Sequence, residues 1–347
     1  MLLCQTIGIV VVYGCSVHIS DDKNLQWQTP FFVQVIPPAF AVAFSFFVDE
    51  SPRWLCLKDR PEDALAVLSR LRGSPADADF VAAEFDSIYT PIQLEVAEHG
   101  KPTLISTLRE TFTVRSNLRR VQLTIVAYIL AQMSGANSVT NYLPTIFGYV
   151  GLAQDDAKIY SSSLYAMAKL LCCLLASLFF VDAVGRRKSL FIGITVQMLC
   201  HTYLGAFLNV SARHAVGSGA SDAAIAAIYV HAFGWAVGLY SLPYLFGAEL
   251  WPNRIRSFGG ALSQCFHWLF LFAITKATPS ILSSMDRWGA FIFFAAWCFV
   301  ALIYVFLMVP ETSGRTLESM DKLFEHRWYE MRKYAYEAGA TECKDVE

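Results

Sequence analysis

Apolar residues run along most of this chain in blocks long enough to cross a bilayer, which takes about 20 residues as a helix. Eight such blocks stand out, at 1–20, 29–48, 121–150, 160–181, 190–210, 224–247, 259–282 and 288–309. The first lacks a basic start and a cleavage site, so it reads as a span rather than a signal peptide. Between the second and third blocks, residues 51–118 are polar but follow helical spacing. Ser51-Pro52 predicts an N-cap followed by proline at the first helical position. Ala64, Leu65, Leu68 and Leu71 then share one face, and Gly73 and Pro75 predict its end. Further helices are predicted over 79–98 and 103–116. Beyond Pro310, Leu317, Met320, Phe324, Trp328 and Met331 fall on one stripe. That stripe predicts an amphipathic helix against the membrane face or the cytoplasmic region.

Composition fixes what the apolar blocks face. Of 347 residues, 55% are hydrophobic and 16% charged, well under the roughly 25% charge of soluble domains. The mean hydropathy is +0.42. The fold class is therefore an all-α membrane protein with lipid as its solvent. A net charge of −2 gives no reason to expect nucleic acid as a partner. The nine cysteines lie mostly inside apolar blocks and show no metal spacing, so they read as small core residues. Neither a metal site nor a cofactor is expected.

Charge placement predicts orientation. Lys and Arg number ten in 51–120, three in 182–189, two in 251–257 and six after Pro310. The alternate loops hold only Lys23, Lys158, Arg213 and Arg287. By the positive-inside rule both termini and 51–118 are cytoplasmic, and the alternation holds for all eight spans.

One block is unlike the rest. Within 121–150, the stretch Gln132–Pro144 carries Gln132, Ser134, Asn137, Ser138, Thr140 and Asn141, closed by Tyr142 and Pro144. Amides in hydrocarbon are costly unless they meet partners, water or a ligand. Gln132 and Asn137 to Asn141 fall on neighbouring turns of one helical face, with Gly135 and Pro144 to bend it. That pattern predicts the wall of a polar cavity. Lys169 lies near the middle of the fourth span, where a charge costs roughly 2.5–3.5 kcal/mol and is expected to face the bundle interior. An ammonium there suits a substrate carboxylate; a snorkelling lysine, or one paired with an acid elsewhere, is the alternative.

Five motifs occur in order: ESPRWL at Glu50–Leu55, QxxGxN at Gln132–Asn137, DxxGRR at Asp182–Arg187, ELWPNRIR at Glu249–Arg256 and PETSGRTLESMDKLF at Pro310–Phe324. Together they resemble the sugar-porter family of the major facilitator superfamily, and within it the fungal quinate-permease-like branch. The resemblance covers essentially the whole chain. It implies a major-facilitator-type helix bundle in which the eight spans match family spans five to twelve. Residues 1–50 then hold the last two spans of a first half-bundle, 51–118 the cytoplasmic linker, 119–310 a six-helix second half, and 311–347 the tail. The first four family spans are expected to be missing.

The resemblance also implies roles. Gln132 and Asn137 match amides that hydrogen-bond sugar hydroxyls, a chemistry that suits a group with both donor and acceptor, with helix–helix hydrogen bonding as the alternative. Ala131 stands where relatives often carry a second Gln, and Asn141, ahead of Tyr142, stands where they carry the first of two tyrosines. The site is thus a less hexose-like version of the family's. Tyr244 takes the place of a family Trp after Pro243, and Trp235 and Trp268 are further pocket candidates, with packing as the alternative for all three. Gly234, Gly238, Pro243 and Gly247 either weaken their helix as a gate or serve close packing. A lone histidine in a span is more often a packing hydrogen-bonder than a proton carrier, and His201, His231 and His267 are read that way. Asp182 with Arg186 and Arg187, Glu249 with Arg254 and Arg256, and Glu50 with Arg53 match ion pairs that brace one transport state.

The expected function is transport of a sugar, polyol or quinate-like polyhydroxy acid by alternating access, with protons as a possible second partner. A truncated non-transporting fragment and a nutrient sensor of the same fold are the alternatives. The expected location is the plasma membrane. No HExxH, GxSxG or paired-aspartate motif is present, so no enzyme is expected.

Overall fold

The computed structural model describes Gly8, Val11, Gly14, Cys15, Phe324 and residues 23–310, except 101–102, 153, 181–183, 241–242, 244–246, 248–249 and 253. Among the described residues every regular element is a helix. Two compact units divide the chain: Gln28–Arg109, and Met1–Trp27 together with Glu110–Glu347. The predicted span 1–20, apart from Gly8, Val11, Gly14 and Cys15, and the tail stripe, apart from Phe324, lie outside the described residues.

The smaller unit begins within α1 (Lys23–Ser45), which contains Pro30, Pro37 and Pro38. These prolines, with Gln28 and Gln34, dilute its apolar content. Next come α2 (Pro52–Leu57), α3 (Pro61–Arg72), α4 (Asp79–His99) and α5 (Leu104–Thr113). Ser51 has the extended backbone of an N-cap and Pro52 opens α2, although the serine side chain makes no capping bond. Gly73 ends α3 in the left-handed conformation at φ 63°, as the pattern predicts. On α3 the buried face is Ala64, Val67 and Leu68. Leu71 is 67% exposed, so the apolar stripe is narrower than its spacing suggests. Ala64 and Val67 join Leu55, Cys56 and Ile92 in a small core.

The larger unit is a bundle. It contains α6 (Arg115–Met133), α7 (Ala136–Asn141), α8 (Leu143–Val150), α9 (Asp155–Leu175), α10 (Arg186–Ser211), α11 (Ser218–Trp235), α12 (Arg256–Ser284) and α13 (Trp288–Met308). Five-residue π turns extend α9 over Ala176–Phe180 and α11 over Ala236–Tyr240. Five helices among the described residues are long and apolar enough to cross a membrane: Tyr160–Phe179, Arg186–Ser211, Ser218–Tyr240, Arg256–Ser284 and Trp288–Met308. Their outward faces carry large apolar residues such as Leu178 and Phe272.

The block 121–150 is not one rod. It breaks into α6, α7 and α8 because Gly135 adopts φ 78° and Pro144 sits in the first turn of α8. A Cβ at Gly135 would lie 2.5 Å from the Phe294 ring. The break therefore needs glycine twice over, for its backbone angle and for the ring above it.

Two apolar clusters fill the bundle. One gathers Leu123, Leu190, Trp235, Val305 and Phe324, at the end that carries Arg120 and Arg187. The other gathers Phe147, Phe207, Ile228 and Phe291, towards the opposite end. Buried polar groups are set among them: Gln132, Ser134, Lys169, Gln197, His201, His231 and His267, of which Gln197 and His201 lie between members of the two clusters along α10. In lipid there is no hydrophobic drive between helices, so small residues and close packing hold them. A Cβ on Gly193 of α10 would lie 2.4 Å from Gly238 Cα and 2.5 Å from the Gly234 carbonyl oxygen. These glycines let α10 and the end of α11 meet backbone to backbone, which is the packing alternative for Gly234 and Gly238.

Candidate functional site

The polar stretch folds back on itself across the break. Asn137 Nδ2 donates to Gln132 Oε1 at 2.7 Å, and Gln132 Nε2 lies 3.3 Å from His267 Nδ1 on α12. An amide nitrogen donates, so His267 accepts at Nδ1 and carries its proton on Nε2. Gln132 is fully buried, with both ends of its amide used. Asn137 is half-buried, and its Oδ1 has no hydrogen bond among the described residues. Gln132 thus holds Asn137 in place and leaves that oxygen as the acceptor offered outward.

One turn further on, Asn141 and Tyr142 both reach α12. Asn141 Nδ2 donates to Thr275 Oγ1 at 3.2 Å, and the Tyr142 hydroxyl donates to the Thr275 carbonyl at 3.2 Å. Asn141 is exposed. Below it, Thr278 Oγ1 donates to Ser138 Oγ at 2.8 Å. The Tyr128 ring tilts on His267 at 5.2 Å, and Gln264 Nε2 donates to the Tyr128 hydroxyl at 3.4 Å. Sequence reasoning used neither Tyr128 nor Gln264, Thr275 and Thr278. The signal was present: Gln264, His267, Thr275 and Thr278 repeat at helical spacing along α12, one polar stripe facing another.

Lys169 turns inward, as its cost in hydrocarbon requires. It is 4% exposed, and its Nζ donates to Thr140 Oγ1 at 3.2 Å, while Thr140 Oγ1 donates to the Ala136 carbonyl at 2.9 Å. The ammonium therefore reaches α7 through the Thr140 hydroxyl. Trp235 is buried in the core, its ring 6.0 Å from that of Tyr240. Trp268 is 53% exposed and meets His267 edge-on at 5.3 Å. Tyr244 lies outside the described residues.

At the arginine-bearing end, Asp182 and Glu249 also lie outside the described residues. Arg187 Nη2 donates to the Phe306 carbonyl at 2.9 Å, in the last turn of α13. Orphan carbonyls and the helix dipole make that position favourable for a cation. The Arg187 guanidinium also stands over the Phe191 and Phe306 rings at 5.6 and 5.8 Å. Arg256 Nε and Nη2 both donate to the Trp251 carbonyl at 3.2 Å. Arg254 Nε pairs with Glu110 Oε2 at 3.0 Å, a partner that the motif spacing did not suggest. Arg120 caps the Phe324 ring at 4.7 Å, tying one residue of the tail motif to α6. Arg186 is half-buried at the start of α10; Glu50 and Arg53, in the smaller unit, are both exposed.

A cavity of about 1170 Å³ opens at the other end of the bundle, where Tyr142 and Tyr149 meet Arg213, His214 and Arg287. Of the predicted site residues it takes in Tyr142 alone. The Gln132–Asn137 pair and Lys169 are not part of its wall.

Known proteins share this design. The chain is 30% identical over 329 residues to a probable quinate permease of Aspergillus niger, covering 92% of this chain and 59% of that protein. It is 28% identical over 325 residues to a quinate permease of Neurospora terricola, with coverages of 92% and 60%. It thus spans about three fifths of the length of these curated relatives. Among solved structures, the proton:xylose symporter XylE of the major facilitator superfamily, bound to 6-bromo-6-deoxy-D-glucose, superposes with a TM-score of 0.74 at 20% identity. That match covers 93% of this chain and 65% of the other. A partially occluded inward-open form of XylE from E. coli gives a TM-score of 0.67, with coverages of 91% and 62%. The bundle is therefore a major-facilitator fold, and the helices expected to lie in lipid are those of an integral membrane protein. Residues 2–324 match the family model described as sugar (and other) transporter, and the chain belongs to that family of transporters rather than to a family of enzymes.

Proposed function

We propose that this protein carries a polyhydroxy acid of the quinate type, or a related sugar or polyol, across the plasma membrane by alternating access. The observation that carries the reading is the Asn137 amide. It is held by Gln132 and presents a free acceptor beside Asn141 and Tyr142, where the helix is broken. An array of amides and hydroxyls on one side of a bundle suits a ring carrying several hydroxyls, since each group can donate or accept. Lys169, behind Thr140, adds positive charge without occupying the surface, which favours an acid over a neutral sugar. The names of the relatives point the same way.

In this reading a six-helix second half-bundle rocks about the site against a first half-bundle, of which this chain holds two spans, with both termini on the cytoplasmic side. Trp268 and Tyr244 serve as aromatic walls. Asp182 and Glu249 pair with the arginines near them, and Glu50 pairs with Arg53, in one of the two states. A pair made in one state alone shifts the population towards it. Proton coupling supplies the driving force.

Radiolabelled uptake in a host lacking its own transporters, offered quinate, galacturonate, xylose and glucose, tests the reading. Saturable uptake of quinate or galacturonate, weakened by Asn137→Ala, is expected. Transport of none of the four by the chain would overturn it.

A further inference from the structure

The turn between α12 and α13 holds a backbone conformation that its residues do not favour. Asp286 adopts φ 49°, and Arg287 adopts φ 65° and ψ −54°. Trp288 N donates to the Asp286 carbonyl at 2.7 Å across Arg287. Arg287 is thus the centre of a γ-turn of positive φ, a rare and strained form. It is also the N-cap of α13. Ser, Thr, Asp and Asn serve that position best, and the positive end of the helix dipole opposes a cation there. Local structure therefore speaks against an arginine. Strain of this kind persists where a site uses what it positions.

What the turn positions is a guanidinium. It stands over the Tyr149 ring of α8 at 4.7 Å, in the wall of the cavity of about 1170 Å³. A guanidinium laid over a ring uses its face, and the N–H fork at its edge stays available for an anion. Arg213 and His214, which follow the end of α10, line the same cavity. Arg213 alone would read as a cation at a helix C-terminus, where the dipole favours it; Arg287 has no such reading. Among the described residues neither guanidinium makes an ion pair or a hydrogen bond, although Asp286 stands in the same wall. The alternate loops hold only Lys23, Lys158, Arg213 and Arg287, and both arginines line this one cavity. Tyr142 joins the cavity to the polar stretch. It is part of the cavity wall, it follows Asn141 directly, and its hydroxyl donates to the Thr275 carbonyl.

We propose that this cavity is an entry site that captures a small organic carboxylate on Arg287 and Arg213 before it reaches Asn137 and Asn141. The proposal rests on the polyhydroxy-acid reading above and on the orientation that puts this end outside. The carboxylate takes the N–H fork of Arg287 and the charge of Arg213. Both cations also draw anions in from solution, over the distance that salt leaves unscreened. Asp286 limits the attraction, since the wall sets two arginines against one carboxylate. A site of that balance holds its anion weakly enough to pass it on, as a station on a transport path must. A neutral sugar of the same size gains nothing from it.

Two measurements test the proposal. In the first, the purified full chain in phosphatidylcholine nanodiscs is treated with phenylglyoxal, which modifies accessible guanidinium groups, and its peptides are read by mass spectrometry. Quinate and galacturonate are expected to slow the modification of Arg287 and Arg213, in wild type and in Asn137→Ala alike, and xylose is not. Equal modification with and without both acids would overturn the site. Protection by phosphatidylglycerol in the bilayer, with none by either acid, would assign the arginines to a lipid headgroup and overturn it too.

In the second, uptake by whole cells is measured. Arg287→Gln and Arg213→Gln are each expected to raise KM for the transported acid about threefold to tenfold with kcat unchanged, and more so at low salt. Arg287→Lys, which keeps the charge and loses the fork, is expected to recover part of the loss. A KM unmoved in both glutamine variants would overturn the capture role. If the arginines are protected and neither acid is transported, the transport reading fails while the anion site stands. If an acid is transported and neither arginine is protected, the site fails while the transport reading stands.

Discussion

Asn137 and Gln132 meet through a 2.7 Å hydrogen bond that spans the left-handed turn at Gly135. One amide is spent on holding the other. The two are therefore not equivalent contacts, and substitution separates them. Asn137→Ala removes the outward acceptor and is expected to weaken substrate affinity by about twofold to tenfold, the value of one neutral hydrogen bond. Gln132→Leu is expected to cost at least as much while also leaving His267 and Asn137 without their shared partner. A binding titration of both variants and the double variant checks this. Additive losses would contradict the holding role, since coupled neighbours are non-additive.

Gly135→Ala imposes two penalties at one atom. A non-glycine residue in the left-handed region costs about 1–2 kcal/mol, and the new methyl would press on the Phe294 ring, adding about 1–3 kcal/mol of overpacking. A sharply lowered melting temperature in detergent is expected. Gly135→Ala with Phe294→Ala should recover the second part only.

Gly193→Ala tests the backbone contact between α10 and α11. Its methyl would meet Gly238 Cα and N at 2.4 Å, where no side chain can move aside. It is expected to be among the most destabilising alanine substitutions in the bundle, whereas alanine at Gly219, which has open space around it, should be nearly neutral. Thermal unfolding of the two variants gives the comparison.

Arg254 is almost wholly shielded and Glu110 largely so, which makes their pair the strongest candidate for a measurable ionic contribution. Removing either partner leaves a half-buried charge behind. A double-variant cycle with Arg254→Met and Glu110→Gln is expected to show a coupling of about 1–3 kcal/mol. A value near zero would mean that solvent screens the pair as it does surface pairs.

In the smaller unit, Arg72 Nε donates to Glu84 Oε2 at 2.8 Å, bridging α3 and α4. The hydrogen bond to the guanidinium holds the Glu84 carboxyl below the usual carboxylate range. A lowered folded value means that the bridge stabilises fully above the unfolded carboxylate range, and that this is lost as pH falls through the folded value. Hydrogen exchange in α3 should therefore quicken on acidification, and Glu84→Gln should remove most of that dependence. The pair is exposed, so added salt should shrink the effect.

Much of this was legible along the chain. The helix ends at Pro52 and Gly73, the break near Gly135 and the inward turn of Lys169 follow from backbone chemistry and the cost of charge in lipid, both local. What stayed hidden was pairing. Gln264, His267, Thr275 and Thr278 form a periodic stripe, but only the fold shows that it faces Gln132–Tyr142. His201 and His231 are 30 positions apart, so each looks solitary until α10 and α11 lie side by side. Arg254 finds Glu110 over 144 positions, where motif spacing carries no information. Gly234 and Gly238 left bending and close packing both open, and only the fold shows the backbone of α10 against them.

The π turns at the ends of α9 and α11 have a consequence for motion. They pack on each other through Cys173, Ala176, Ala236 and Val237, so both helices carry an extra residue at one shared depth. Gly238 lies inside the turn of α11, so the glycine contact clamps that turn to α10 at the same depth and forbids sliding there. A π turn has looser hydrogen bonding than the helix around it and is a common place to bend. The two turns are thus unequal joints: the one in α11 is pinned by backbone contact with α10, and the one in α9 is where a helix end can give.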